Sequence, residues 1–305
     1  MATGPLATGS GRAVFSSEIV KRPLRPGVRA LFRAKRALGR VYVRAREKAK
    51  RVARNAALAR AGRRMGREGG FRGAIDQRDY LMHYVLLHSA QGIQDGPEAG
   101  LREYFDQGAR DARQVMAVMQ ELGHAPAAKV LEFASGYGRV TRHLPLSDLT
   151  ACDIHPEAVS FLRRRLNVAA LQSAPSPAEF DPATRYDFVF VLSLFSHLPE
   201  HLFEAWLAKL ASLLKPGGHL MFTTNGETAI AMVERIAAGA VAGARFSFWS
   251  ETDQPDLEAA IYGTAVVTSH YVRETVARTS RCRVVSHRPG SWWGTQDEWI
   301  IAADG

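Results

Sequence analysis

The stretch that decides the fold reads Val130-Leu-Glu-Phe-Ala-Ser-Gly-Tyr-Gly-Arg-Val-Thr-Arg142. An apolar run ends in an acid, a glycine-rich turn follows, and an amphipathic segment comes after it. This order predicts a strand, a tight loop and a helix that begins at Arg139. The loop would therefore lie at the carboxyl end of a strand, which is where open α/β sheets bind their ligands.

A second acid follows at the spacing expected of the next strand end. Asp153 closes the apolar segment Leu149-Thr-Ala-Cys-Asp153, 21 residues after Glu132. Its carboxylate is well placed to accept hydrogen bonds from a ribose diol, as the acid of dinucleotide-binding folds does. Two acids at neighbouring strand ends suit a cationic or hydroxyl-rich nucleotide ligand.

The glycines of the loop narrow the choice of nucleotide. Gly136 and Gly138 can take positive φ values and let a ligand approach the backbone closely. The dinucleotide fingerprint requires a third glycine three residues later, where this chain has Thr141. The Gly-Lys-Ser/Thr sequence of a P-loop is also missing. We therefore predict a ligand with an adenosine and no pyrophosphate, namely S-adenosylmethionine.

These residues resemble the first motif of the class I (Rossmann-like) S-adenosylmethionine-dependent methyltransferases. Ala134 stands where that family usually has its first glycine, and Asp153 resembles the ribose-binding acid after the second strand. The resemblance covers roughly residues 127–302. It is also carried by the fourth strand with its loop and by the turn before the fifth strand, Tyr186-Asp-Phe-Val-Phe-Val-Leu-Ser193 and Leu213-Leu-Lys-Pro-Gly-Gly-His-Leu-Met-Phe222.

The fold class implied is α/β: a doubly wound, mostly parallel seven-stranded sheet with an antiparallel C-terminal hairpin, preceded by N-terminal helices and a basic arm. The alternation of strands and helices along the chain independently predicts a parallel sheet. The predicted strands are 129–133, 149–153, 168–172, 186–192, 218–224, 281–287 and 297–302. The predicted helices are 76–89, 97–122, 156–166, 199–214, 226–240 and 270–280, with an insertion over 241–270.

Basic and acidic residues are distributed unequally along the 305-residue chain. Residues 1–72 hold 20 Lys and Arg against 3 Asp and Glu, whereas the remainder holds 20 against 27. We predict a disordered tail over 1–27, a basic amphipathic helix and linker over 28–72, a helical cap over 73–126, and the S-adenosylmethionine-binding domain over 127–305. The helix is expected over 28–61 and the linker over 62–73.

The basic arm has several candidate partners. A basic amphipathic helix can lie on an anionic membrane surface or dock on a protein, and any polycation can also bind nucleic acid. An organelle transit peptide is a further alternative. Because the sequence has no long apolar run and no apolar signal core, we predict a cytoplasmic protein. Peripheral attachment of the arm to the inner face of the membrane is one alternative for it, and a plain solvated tail is another. No Cys/His spacing indicates a metal site.

The resemblance implies which residues contact the cofactor. It assigns them to the ends of the first four strands and to the loops that follow. The predicted cofactor residues are Glu132, Phe133, Ala134, Ser135, Gly136, Gly138, Asp153, Ile154, Gln172, Ser173, Ser193 and Leu194.

The methyl acceptor is expected beside the loop after the fourth strand. His197 in that loop is suited to receive a hydroxyl proton, although it could instead be structural. The other predicted substrate residues are Tyr80, His83, Tyr104, Tyr262, Trp292, Trp293 and Gln296.

The expected activity is O-methylation of a sugar, glycan or other small hydroxyl compound. Gly290-Ser-Trp-Trp-Gly-Thr-Gln-Asp297 resembles a segment of bacterial methyltransferases associated with glycosyltransferases and surface polysaccharides. The alternatives are a non-catalytic adaptor with a methyltransferase-like fold, recruited by its basic arm, and an RNA methyltransferase.

Overall fold

The computed structural model describes residues 48, 50–233, 236, 242–250, 254, 257–279 and 281–304. The chain divides into two compact units, Met1–Arg54 and Asn55–Gly305. Of the first unit only Lys48 and residues 50–54 are described, and they are helical. The predicted tail over 1–27 and most of the predicted basic helix lie outside the described residues.

A seven-stranded sheet forms the centre of the second unit, with the strand order β3-β2-β1-β4-β5-β9-β8. Strands β1 to β5 run parallel, and β9 pairs antiparallel with both β5 and β8. This arrangement confirms the predicted fold class. The strands are β1 (Val130–Phe133), β2 (Leu149–Asp153), β3 (Ala169–Gln172), β4 (Tyr186–Val191), β5 (Leu214–Asn225), β8 (Cys282–Trp292) and β9 (Gln296–Ala303).

Helices precede the sheet and cover both of its faces. In the second unit a helix α1 over 55–69 comes first. The later helices are α2 (Tyr80–His88), α3 (Ala90–Asp95), α4 (Pro97–Glu121), α5 (Pro156–Phe161, continued as a π-helical turn over Leu162–Leu166), α6 (Glu200–Ser212), α7 (Glu227–Met232) and α8 (Ser269–Thr279). Among the described residues no helix is both long and apolar enough to cross a membrane.

Two apolar layers hold the sheet between its helices. On one face α6 and α8 place Phe203, Trp206 and Tyr271 against the sheet. On the other face α4 packs Val115 and Met119. The central strands β1 and β4 are almost entirely buried, as parallel strands covered on both faces must be.

The segment after β1 differs from the prediction. A helix was expected from Arg139, but the chain forms only a 3-10 turn over Thr141–His143. The buried Arg142 guanidinium explains the difference, because it donates to the carbonyl oxygens of Gly138 at 2.8 Å, Tyr137 at 2.8 Å and Ala74 at 2.7 Å. These bonds stabilise a compact loop and tie it to the chain before α2.

The predicted linker over 62–73 is wrong, since α1 continues to residue 69. The glycines of this segment let the chain after the helix pack closely against it. A Cβ on Gly62 would approach the carbonyl oxygen of Gly73 to 2.6 Å, and a Cβ on Gly66 would approach the nitrogen of Gly73 to 2.4 Å. The chain after the helix therefore folds back directly onto α1.

The remaining differences are local. The helix predicted over 76–89 begins only at Tyr80, because the Asp79 carboxylate caps it by accepting from the Met82 N–H at 2.9 Å. The helix predicted over 226–240 is described as Glu227–Met232, and most of its remainder lies outside the described residues. The insertion over 241–270 contains a small sheet of β6 (Phe246–Trp249) and β7 (Thr264–Val267).

Candidate functional site

A cavity of about 960 Å³ lies at the carboxyl ends of β1, β2 and β4. Further walls come from α2, α4 and α6, from the segment over 257–264 and from the turn between β8 and β9. The volume is at the upper end of the range of about 300–1,000 Å³ that ligand sites occupy. The cavity thus stands at the sheet edge where an α/β fold binds ligands.

The loop after β1 is fastened directly to the end of β2. The Gly136 N–H donates to Oδ2 of Asp153 at 2.7 Å, and the His155 N–H donates to Oδ1 of the same carboxylate at 3.0 Å. The parallel pairing of Phe133 with Cys152 brings these two strand ends together. The Asp153 carboxylate is therefore held in one orientation, and both Gly136 and Asp153 line the cavity.

The backbone of this loop is left-handed at three positions. Ala134 has a φ of 60°, Gly136 of 55° and Gly138 of 71°. An alanine in this region is strained, because its Cβ crowds the backbone. Gly138 does not line the cavity. A Cβ on Gly138 would approach Cδ1 of Leu166 to 2.5 Å, so this glycine allows the loop to pack on the end of α5.

Glu132 forms the floor of the cavity and is buried. Thr141 Oγ1 donates to its Oε2 at 2.6 Å. Burial raises the pKa of the Glu132 carboxyl from 4.5 to about 8, and the Thr141 hydrogen bond and the positive charge of Arg139 oppose this rise only in part. A proton is therefore held on this carboxyl at neutral pH.

A second buried acid anchors the opposite wall. Oδ2 of Asp111 lies 2.6 Å from Nη2 of Arg139, and Oδ1 accepts from the Trp293 indole N–H at 3.0 Å. Nη1 of Arg139 is buried and has no hydrogen-bond partner. The site thus contains an N–H donor on a cation whose hydrogen-bonding capacity is not used by the protein.

The loop after β4 presents His197. Nδ1 of His197 lies 2.7 Å from the carbonyl oxygen of Gly263, and its ring stacks on Tyr262 with the centroids 4.6 Å apart. Because a carbonyl oxygen can only accept, Nδ1 carries the proton of the neutral ring and Nε2 keeps the basic lone pair. His197 and Tyr262 both line the cavity.

Most of the predicted site residues are brought together in this one cavity. The residues that line it are Tyr80, Tyr104, Glu132, Phe133, Ala134, Ser135, Gly136, Asp153, Ile154, Ser173, Ser193, Leu194, His197, Tyr262, Trp293 and Gln296.

Four predicted residues do not line the cavity. Gly138 packs on α5, as described above. Trp292 is fully buried in the core and donates to Oε2 of Glu298 at 2.8 Å. Gln172 is exposed, with its amide 3.4 Å from the Ile154 carbonyl oxygen. His83 makes its contact with the Gln77 carbonyl oxygen at 3.0 Å, on the first turn of α2.

Sequence reasoning missed several cavity residues, above all Asp79, Asp111 and Arg139. Asp79 could have been recognised from the sequence as a helix N-cap. Acids are favoured at that position, and the Asp79 carboxylate accepts from the Met82 N–H three residues later. The sequence around Asp111 gave no such signal, because the residue that donates a hydrogen bond to it, Trp293, is 182 residues away in the chain.

Comparison with known proteins identifies the central domain. Residues 130–218 match the protein family described as a methyltransferase domain. The chain carries a class I, S-adenosylmethionine-dependent methyltransferase domain. The recognition of this domain type and of its cofactor from the sequence is thereby confirmed, whereas the association with polysaccharide systems stays a prediction.

Curated relatives match this chain over part of their length. The fatty-acid O-methyltransferase of Mycolicibacterium smegmatis is 29% identical over 34% of this chain and 42% of its own. The phthiotriol/phenolphthiotriol dimycocerosates methyltransferase 1 of Mycobacterium ulcerans is 32% identical over 31% and 36%. Nodulation protein S of Rhizobium tropici is 30% identical over 36% and 48%. The chain therefore spans less than half the length of each of these relatives.

Solved methyltransferase structures are similar at lower identity. The magnesium protoporphyrin IX methyltransferase of Synechocystis PCC 6803, solved with bound S-adenosylhomocysteine, is 15% identical with a TM-score of 0.48, over 67% of this chain and 87% of its own. A glycopeptide N-methyltransferase is 20% identical with a TM-score of 0.48, over 64% and 90%.

Proposed function

We propose that this protein transfers a methyl group from S-adenosylmethionine to a hydroxyl group of a sugar, glycan or other small molecule. One observation supports the proposal above the others. The oriented Asp153 carboxylate and the His197 ring, with Nε2 as its basic nitrogen, line the same cavity. A candidate nucleoside-binding acid and a candidate general base thus line one cavity.

The residues of the cavity fit the proposed cofactor. S-adenosylmethionine supplies an electrophilic methyl group on a sulfonium. Asp153 would accept hydrogen bonds from the ribose hydroxyls, and Gly136, which has no side chain, would let the ligand approach the backbone closely. Arg139, whose Nη1 has no protein partner, would donate to the carboxylate of the methionine end. Glu132 would face a positively charged group once its proton is released.

The acceptor side contains the groups that a proton transfer needs. His197 Nε2 would take the proton of the acceptor hydroxyl as its oxygen bonds to the methyl carbon, and the electron pair of the broken carbon–sulfur bond stays on sulfur. The hydrogen bond from Nδ1 to the Gly263 carbonyl stabilises the charged imidazolium that results. The rest of the acceleration comes from alignment of the reacting atoms.

The walls around the acceptor are apolar and aromatic. Leu81, Tyr84, Leu257, Ile261 and Tyr262 line the cavity. Such walls favour an acceptor that has a ring or an aliphatic portion beside its polar groups. The names of the fatty-acid and phthiotriol relatives point to lipid acceptors in those proteins, and we include a glycolipid among the candidate acceptors here.

The domain boundaries and the partner of the basic arm are separate proposals. In the described part of α1, Arg60, Arg63, Arg64 and Arg67 are exposed. These cations support the proposal that the arm, assigned to residues 28–72, binds an anionic membrane surface or a protein partner. Co-sedimentation with phosphatidylserine vesicles tests the membrane alternative, and binding that does not weaken with added salt would contradict it.

Two measurements test the proposed activity. S-adenosylhomocysteine at a hundred times its Kd should stabilise the protein by about 2.7 kcal/mol, which raises the Tm by several degrees. Tritium from methyl-labelled S-adenosylmethionine should then appear in an extract of the source cells. A Tm that S-adenosylhomocysteine leaves unchanged would favour the adaptor alternative, and label in RNA alone would favour an RNA methyltransferase.

A further inference from the structure

The turn between β8 and β9 has an unusual residue at its tip. The Thr295 N–H donates to the Trp292 carbonyl oxygen at 3.1 Å, and the two central residues, Trp293 and Gly294, have φ values of 53° and 75°. Two positive φ values are what a type I′ turn requires, and its first position favours Asn, Asp or Gly. A tryptophan there is strained, because bulky side chains avoid positive φ.

Burial in the core does not account for this strained tryptophan, although its ring makes an edge contact with Trp292. Trp293 remains 44% exposed, whereas the neighbouring Trp292 is completely buried. The Trp293 indole N–H donates to Asp111, whose carboxylate is paired with Arg139. The ring is thus held in a fixed orientation on the wall of the cavity with much of its surface uncovered. A rigid, partly uncovered aromatic ring is suited to stacking on the ring of a ligand.

Three residues further on, Gln296 lines the same cavity, and its amide orientation follows from a chain of hydrogen bonds. Ser196 Oγ donates its hydrogen to the Ser193 carbonyl oxygen at 3.0 Å, so at the 3.3 Å contact between the two hydroxyls Ser193 must be the donor. Ser193 Oγ can then only accept at the 3.2 Å contact with Gln296. The amide nitrogen of Gln296 therefore points to Ser193.

The consequence is an unused acceptor on Gln296. Its Oε1 is buried and has no hydrogen-bond partner, and the residue is 8% exposed. An unsatisfied buried carbonyl is costly, and a ligand that donates a hydrogen bond recovers that cost. A hydroxyl or an amine can donate here. An ionised carboxylate cannot, and its charge would be repelled by the amide oxygen.

We propose that the β8–β9 turn is the acceptor-recognition element of this protein. Trp293 stacks on a ring of the acceptor, and Gln296 Oε1 accepts a hydrogen bond from an O–H or N–H group on it. The site thereby selects ring compounds that carry hydroxyl or amino groups and disfavours carboxylates as methyl acceptors. This inference rests on the proposed methyltransferase function and narrows its acceptor class.

The stability of the methylated product to base tests whether the site disfavours carboxylate acceptors. An extract of the source cells is incubated with methyl-labelled S-adenosylmethionine and the full-length protein, and the product is then treated with base. Methyl esters release volatile labelled methanol, whereas methyl ethers and N-methyl groups keep their label. We expect a base-stable label. Release of most of the label as methanol would overturn the proposal, and no transfer by the wild type would contradict the methyltransferase function itself.

Substitutions in the turn test the assigned residues. At limiting extract, Trp293→Asn and Gln296→Met should each lower the initial rate about tenfold. The conservative Trp293→Phe should stay within about threefold of the wild type, because it keeps a ring. Affinity for S-adenosylhomocysteine should be unchanged in all three variants.

The stability of these variants separates recognition from a structural role. Asn tolerates positive φ, so Trp293→Asn should unfold at a Tm within a few degrees of the wild type. Unchanged rates in Trp293→Asn and Gln296→Met would overturn the proposal. So would rate losses that appear only together with a large fall in Tm.

Discussion

Thr141 Oγ1 donates a 2.6 Å hydrogen bond to Oε2 of the buried Glu132, at the floor of the cavity. Burial nevertheless raises the pKa of Glu132 to about 8. Without a ligand this carboxyl is mostly protonated at neutral pH, and a cationic ligand would favour its ionised form. Glu132, the first residue of the predicted cofactor motif, therefore lowers the free energy of unfolding of the unliganded protein.

Glu132→Gln is expected to make the unliganded protein more stable at alkaline pH. The folded pKa of about 8 lies above the ordinary 4.5, so the native state binds more protons than the unfolded state in this window, and stability falls as pH rises from about 4.5 to about 8. At about 1.4 kcal/mol per pH unit the loss is at most about 5 kcal/mol. Urea unfolding at pH 5.5 and pH 8 should show a smaller decline in the variant.

The exposed Glu179 provides the matched control. Glu179→Gln should leave the pH dependence of unfolding as it is in the wild type, because its carboxyl is solvated. An equal decline in the wild type and Glu132→Gln would contradict the account of a buried, protonated Glu132.

Binding of S-adenosylmethionine should release protons near neutral pH. The sulfonium and ammonium charges favour ionised Glu132, so a fraction of a proton approaching one should leave on binding at pH 7. Calorimetric titrations in buffers of different ionisation enthalpy measure this number. Glu132→Gln should release none through this position, and the same release from both proteins would assign it to another group.

Ala134→Gly should stabilise the protein. Ala134 has a φ of 60°, which costs an L-residue about 1–2 kcal/mol, whereas glycine adopts it freely. After the entropy that glycine loses on folding, the expected gain is up to about 1 kcal/mol. The exposed Ala205 in the middle of α6 is the control, since Ala205→Gly should cost about 0.5–1 kcal/mol. Urea denaturation compares the two, and a loss in Ala134→Gly would show that φ does not limit stability there.

His197→Ala should lower kcat by about 10²–10⁴ for a hydroxyl acceptor, because general-base catalysis contributes about that much. Its affinity for S-adenosylhomocysteine should change little, since the proposed role concerns the acceptor. The exposed His201 on α6 is the control, and His201→Ala should behave as the wild type. Wild-type turnover in His197→Ala would leave the residue with a structural role only.

The parts of the fold that were predicted from the sequence depend on local patterns. Short apolar runs ending at Phe133 and Asp153 identify neighbouring parallel strands, and the loop glycine Gly136 marks the ligand edge. The residues predicted to contact the cofactor were implied by the family resemblance at these strand ends, and most of them line the cavity. The antiparallel hairpin of β8 and β9, which the family resemblance implied, is also confirmed.

The parts that were missed depend on contacts between distant segments. The helix expected from Arg139 does not form, because Arg142 binds carbonyl oxygens that include that of Ala74, 68 residues away. Likewise, Asp111 accepts a hydrogen bond from Trp293, which is 182 residues later in the chain. Trp292 is the last residue of β8 and is buried in the core, whereas Trp293 is the first central residue of the turn and lines the cavity. The sequence shows only two adjacent tryptophans. Only the geometry of the turn determines which of them lines the cavity.

The most direct test is a calorimetric titration of the wild type, Asp153→Ala and Asp148→Ala with S-adenosylhomocysteine. Asp153→Ala removes the acceptor of the Gly136 and His155 N–H groups together with the proposed ribose contact, and we expect an affinity loss of about 100-fold or more. Asp148, which is partly exposed and paired with Lys129, should be dispensable for binding. Equal affinities of all three proteins for S-adenosylhomocysteine would contradict the assignment of this cavity as the cofactor site.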